Sequence, residues 1–228
     1  MRSIHHLVNY LTMANSAAAV ADPRTRDADR TQQEILAAAM DEFAERGLGG
    51  ARIDSIAERA GVNKRLIYYY FGGKDELFLA VLEQTYRDIR EAERALHLEL
   101  TDPADAVRRL VAFTWNHYLA HPEFLTLLNS ENLHRARHLK QSKRIREMNS
   151  PLIQTLGDVL ERGRRKGVFR GGVDPVHLYI SIAGLSYFYL SNNHTLSTIF
   201  ARDLMAPKAL SERLSHITEV VMGYVLLN

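Results

Sequence analysis

The sequence has no cysteine, which excludes disulfides, thiolate metal sites and thiol nucleophiles and is compatible with a reducing compartment. It also lacks any apolar run near the roughly 20 residues that a bilayer-spanning helix needs. The N-terminus does not show the charged, apolar and small-residue succession of a secretory signal, so a soluble, cytoplasmic protein with no membrane partner is expected. An excess of charge is missing too: 29 Lys and Arg stand against 27 Asp and Glu, and any nucleic-acid surface must therefore be local. No stretch alternates as a strand would, and no internal repeat is visible. There is no nucleophile elbow, phosphate loop or HExxH metalloprotease motif, so no catalytic residue, cofactor or metal is assigned.

What is present is helical periodicity. The 228 residues, 46% of them hydrophobic, can bury a substantial core in one large domain or in a small one plus a larger one. Residues 1–29 carry an alanine run and alternating charges without a sustained apolar period; they read as a flexible tail, and Met13 could be the natural start. Ile35, Leu36, Ala39, Met40 and Phe43 then recur at helical spacing, predicting a helix over about 30–46 that Gly47 ends. Ile53, Ile56, Ala57 and Ala60 predict a helix of about two turns closed by Gly61, and Asn63 is a suitable N-cap for the next. Two short helices around a tight turn form a helix-turn-helix, whose second member can enter a major groove.

That second helix lies in GVNKRLIYYYF. At about 100° per residue, Lys64, Arg65, Tyr68 and Tyr69 share one half of the cylinder, and Leu66, Ile67, Tyr70 and Phe71 the other. The first half offers cations and phenols that can reach phosphates or base edges; the second is expected to pack. Arg65 could read guanine or neutralise a phosphate, and the alternative for the whole face is a solvated basic surface. Gly72 and Gly73 stop this helix, and a longer one starts near Lys74.

The remainder also reads as helices. They open at Asp102–Pro103, at Pro122, at Ser150–Pro151, at Asp174–Pro175 (to about Ser191) and at Ala206–Pro207 (to Leu227). Trp115, Tyr118, Phe124 and Tyr187, interleaved with Asn129 and Asn132, could line an effector pocket, or could be plain core. His117 with His121 and His134 with His138 have the i, i+4 spacing of paired metal ligands, but ordinary helix positions are the simpler reading. The basic run from His134 to Glu147 reads as a solvated helix face. The helices at about 174–191 and 207–227 are apolar around much of their circumference, which suits burial against the same helices of a second subunit.

The segment from Ile35 to Leu82, with AxxxFAERG, IAxxAGV, YYYF and KDEL in that order, resembles the DNA-binding domain of the TetR/AcrR family of bacterial transcriptional regulators. The resemblance implies an all-α chain: a three-helix helix-turn-helix DNA-binding domain over 30–76, then a helical effector-binding and dimerisation domain over 77–228. It implies a homodimer that binds a palindromic double-stranded DNA operator and is released by a small-molecule effector, most simply as a repressor. A helical carrier or enzyme using the C-terminal pocket is the alternative. Carried over by position, the DNA contacts would be Arg52, Asn63, Lys64, Arg65, Leu66, Tyr68, Tyr69 and Lys74. Arg52 stands where such proteins usually have a capping Ser or Thr, and Arg65 and Leu66 replace a usually small and polar pair, which implies an operator of unusual sequence.

Overall fold

A computed structural model of the chain describes residues 23–227. The expected start at Met13, and the tail as far as residue 22, lie outside the described residues. The first helix, α1 (Pro23–Gly50), takes in residues 23–29 as well, so helix begins before the apolar period does. Gly47 has φ +63° and breaks the regular helix. There follow α2 (Ile53–Arg59), α3 (Lys64–Phe71) and α4 (Lys74–Arg94), and then α5 (Pro103–Ala120), α6 (Pro122–Leu133), α7 (Lys143–Arg165), α8 (Pro175–Ser191), α9 (Asn193–Ile199) and α10 (Pro207–Val225). Two short 3-10 turns, Leu98–Leu100 and Leu139–Gln141, join α4 to α5 and α6 to α7. The described residues hold no strand, only an isolated bridge between Phe169 and Leu226. No helix among them is long and apolar enough to cross a membrane.

Two elements differ from expectation. The helix expected to open at Ser150–Pro151 begins at Lys143, where the Ser142 hydroxyl accepts from the amide of Ile145 at 3.2 Å. Pro151 lies inside it, and burial of Leu152, Leu156, Val159 and Leu160 offsets the roughly 3 kcal/mol that an interior proline costs. The basic run is not one helix face: Arg135 and Ala136 adopt positive φ of 57° and 56°, which separates α6 from the residues that follow.

The hydrophobic residues form two cores. The first joins Ile35, Ala39 and Phe43 of α1, Ile56 of α2, Ile67 of α3, and Leu77, Phe78 and Leu82 of α4, and it recruits Leu127 of α6 and Ile145 of α7. Phe43 and Phe78 meet edge to face at 5.0 Å. The second core is built from α5, α7, α8 and α10, around Trp115, Leu156, Ile182, Ile217 and Val221. Helix α4 belongs to both, contributing Leu77–Leu82 to one and Ile89 to the other. The first core thus continues past residue 76, and one rigid helix connects the helix-turn-helix to the larger bundle.

Candidate nucleic-acid interface and effector cavity

The turn between α2 and α3 is set by Gly61, at φ +65°, a conformation that costs glycine nothing. Its amide donates to the Glu58 carbonyl at 3.1 Å, and that of Val62 to the Ala57 carbonyl at 3.0 Å. Asn63 caps α3 as its type predicts, its side chain accepting from the amide of Arg65 at 2.9 Å. A buried carboxylate holds the start of α2: Glu42 of α1, fully buried, accepts from the amide of Arg52 at 3.2 Å and lies 3.4 Å from Nε of Arg59. That arrangement leaves α3 anchored by Ile67 alone, its one buried residue.

The rest of α3 faces outward. Tyr69 is 78% exposed and Tyr68 51%, while Tyr70 and Phe71 are half-buried against the first core. Leu66, expected to pack, is exposed, because the short helix meets its neighbours along little more than the line through Ile67. Arg65 extends into solvent with no side-chain hydrogen bond or ion pair to another described residue. Lys64 instead pairs with Asp54 of α2 at 3.0 Å, and this hydrogen bond raises the pKa of the ammonium. Arg52 is exposed and gives no side-chain cap to α2. Nζ of Lys74 donates to the Ala51 carbonyl at 3.1 Å, so part of its hydrogen-bonding capacity ties α4 to the front of α2. All eight positions are thereby gathered around the exposed side of α2, α3 and the start of α4.

The basic run docks against this unit. Arg137 reaches Asp75, in the first turn of α4, at 2.8 Å. His138 is buried: Nδ1 lies 2.6 Å from Glu131 Oε2, and its ring meets Phe78 edge-on at 5.0 Å. Ser142 donates to Glu83 at 2.7 Å. His134 and His138 do not share a helix, and their rings lie 6.3 Å apart. The His117 and His121 rings stack at 4.4 Å near the end of α5, where burial and then the neighbouring imidazole lower the His117 pKa to about 4. No group of three or more potential metal ligands occurs among the described residues.

The residues expected around an effector are divided rather than gathered. Trp115, Tyr118 and Phe124 are buried in the second core. Asn129 and Tyr187 form a half-exposed clasp between α6 and α8, the tyrosine donating to the amide oxygen and Asn129 donating to Ser191 at 2.9 Å. Asn132 is exposed. None of the six lines the cavity of about 570 Å³ that opens between α4 and α7. Its wall includes Arg90 and Glu93, only 5% and 3% exposed. Arg90 donates to the Tyr179 hydroxyl at 2.6 Å and approaches Glu93 at 2.9 Å. Burial pushes the Glu93 carboxyl up to about 7, against the pull of Arg90, and pushes Tyr86 up to about 12 and Tyr118 higher still. The sequence did carry a signal for this pair: Leu82, Tyr86 and Ile89 form an apolar stripe on α4 at i, i+4 and i+7, and Glu93 continues it. A charge on such a stripe is buried with a reason.

Residues 35–81 match the family model described as "Bacterial regulatory proteins, tetR family", and residues 103–221 match "Tetracyclin repressor-like, C-terminal domain". The HTH-type transcriptional repressor NicS of Pseudomonas putida is 43% identical over 87% of this chain and 94% of its own length. The HTH-type transcriptional repressor SCO4008 of Streptomyces coelicolor is 42% identical over 47% of this chain and 53% of its own. Among solved structures, the S. coelicolor transcriptional regulator SCO4942 superposes with a TM-score of 0.66 at 25% identity, covering 86% of this chain and 98% of that one.

Proposed function

The chain belongs to the tetR family of bacterial regulatory proteins, and from that premise we propose that it is a homodimeric repressor that binds a palindromic operator and is released by a small-molecule effector. The observation that carries the reading is the exposed face of α3, where Arg65, Tyr68 and Tyr69 project beyond a helix held by one buried residue. A helix docked in this way can enter a major groove without disturbing the first core. Asn63, Lys64 and Lys74 take phosphates beside it, with Arg52 at the start of α2, and Leu66 offers an apolar contact to a thymine methyl group. The DNA-binding unit spans 30–76 with support from the next turns of α4, and the effector and dimer functions occupy 77–228.

The exposed apolar residues of α8 and α10 support a dimer. Val176, Ile180 and Phe188 are 45%, 57% and 58% exposed and lie on one stripe with Gly184, while Val220 and Tyr224 stand beside Gly223. A Cβ placed on either glycine would meet nothing within 4 Å, leaving both faces open to close approach by another helix. Coupling to the operator follows from α4, which is shared by the two cores, and from the Arg137–Asp75 and His138–Glu131 contacts at its base. An effector that favours one setting of α4 by about 1–3 kcal/mol changes operator affinity about 5- to 150-fold.

Selection of duplexes from a random pool by the purified chain, at a stated salt concentration, tests the reading. A palindrome with half-sites about one helical turn apart or slightly more is expected, together with its release by an unchanged small molecule. A ligand bound without any effect on DNA would indicate a carrier, and one that is consumed would indicate an enzyme.

A further inference from the structure

The Arg90–Glu93 pair is not complete on its own. Nε and NH1 of Arg90 and both carboxylate oxygens of Glu93 are buried without a hydrogen-bond partner; the 2.9 Å approach between them is a charge contact that lacks hydrogen-bond geometry. Buried ionic groups are ordinarily satisfied, and an orphaned guanidinium edge is costly. Here the orphaned atoms belong to residues lining an open cavity of about 570 Å³ with apolar walls that include Leu98, Met148 and Leu152. Arg87, Arg94 and Arg144 line it too, opposite Glu99 and Glu147.

We propose that this cavity binds a small organic monocarboxylate, its carboxylate lodged on the Nε–NH1 edge of Arg90 and its apolar body between α4 and α7. This deepens the reading of the chain as an effector-responsive regulator and rests on it. The planar guanidinium fork matches a carboxylate with two parallel hydrogen bonds. Tyr179 already occupies NH2 at 2.6 Å, which fixes the fork and leaves the other edge free for the ligand. A doubly charged phosphate would face the Glu93 carboxyl at close range, whereas a monocarboxylate can share a proton with it. Pro151, on the cavity wall, has no N–H to give the Glu147 carbonyl, so the wall also offers an acceptor to a polar substituent. Both walls are helices that reach the DNA-binding unit, since α4 carries Leu77 and Phe78 of the first core and α7 carries Ile145.

The protonation of Glu93 sets the pH dependence. Its carboxyl faces Arg90 and Arg94 on its own helix, Tyr179 of α8, Tyr118 of α5, Arg144 and Glu147 of α7, and Glu99 of the 3-10 turn. With a pKa of about 7, it is mostly neutral at pH 6 and mostly ionised at pH 8, so an anionic ligand binds more tightly at pH 6.

Calorimetric titration of the full chain with benzoate and octanoate, and with benzamide and octanamide as neutral isosteres, tests the site. The acids are expected to bind at least tenfold more tightly than the amides. Arg90→Gln should remove that advantage, and Arg90→Lys, which keeps the charge but loses the fork, should weaken it. Glu93→Gln should raise acid affinity at pH 8 to its value at pH 6. Equal binding of acid and amide, full acid binding by a folded Arg90→Gln, or no heat from either acid at millimolar concentration would overturn the proposal. Displacement of operator DNA in the same samples separates the two readings. Acid binding that depends on Arg90 but leaves DNA affinity unchanged keeps the site and removes its regulatory role. DNA release by the amides with no dependence on Arg90 keeps the regulator and overturns the site.

Discussion

The most exposed side chains of α3 are not equivalent in what they must give up to meet DNA. Lys64 is held by Asp54 at 3.0 Å, an exposed pair of little stability value that nevertheless competes with a phosphate for the ammonium. Arg65 has no such partner and can turn to a guanine directly. Lys64→Ala is therefore expected to weaken operator and random DNA alike and to lower the salt dependence by about one unit of slope, while Asp54→Ala, by freeing the lysine, should strengthen both. Arg65→Ala should cost about 1–3 kcal/mol at the operator and little on random duplex. Fluorescence anisotropy over a salt series checks all three, and an equal loss on both DNAs for Arg65→Ala would reassign it to the backbone. The cations themselves were legible in the sequence. Asp54 as a partner was not, because residues ten apart meet only through the angle between two helices.

At the scale of the element, local signals carried furthest where they were chemically specific. Asn63, Asp102 and Asp174 cap the helices they precede, and Gly61, Gly72 and Gly172 supply positive φ at turns. The signal failed at Pro151, where burial along α7 overrides a residue that usually opens a helix, and at α9, whose Asn193–Ile199 span has no buried residue to give it a period. The aromatics Trp115, Tyr118 and Phe124 were legible as apolar helix positions but not as core rather than pocket, since that distinction depends on which helix lies opposite. The end of α7 yields a sharp case: a Cβ at Gly163 would lie 2.0 Å from the ring of Phe169, which is itself only 2% exposed. That ring sits where the chain after α7 pairs with the C-terminus, through Arg170 to the Val225 carbonyl at 3.0 Å and Leu227 to the Val168 carbonyl at 2.9 Å. Gly163→Ala improves helix propensity by about 1 kcal/mol, yet overpacking costs about 1–3 kcal/mol, and displacing the ring also loosens the pairing. A lower melting temperature than the parent chain is expected by circular dichroism; an unchanged or higher one would mean that Phe169 moves aside freely.

For the whole molecule, the two cores share α4 and exchange residues across it, so the helix-turn-helix is held by the same packing that holds the larger bundle, and an isolated 30–76 fragment would leave Leu77, Phe78 and Leu82 without a partner. The apolar stripe of α8 is different, because its residues contribute to no core of the subunit. Ile180, 57% exposed, can be replaced by glutamate at little cost to a lone subunit, whereas in a two-fold contact each copy of the substitution places a charge at the centre of an apolar interface. Ile180→Glu is thus expected to leave the thermal transition of the monomer intact and to shift the sedimenting species from dimer to monomer. Operator affinity should fall far more than affinity for random duplex, since a palindrome rewards only a protein that presents two recognition helices together. A variant that still sediments as a dimer and still prefers the palindrome would place the subunit contact elsewhere, and the exposed stripe of α8 would then need another occupant.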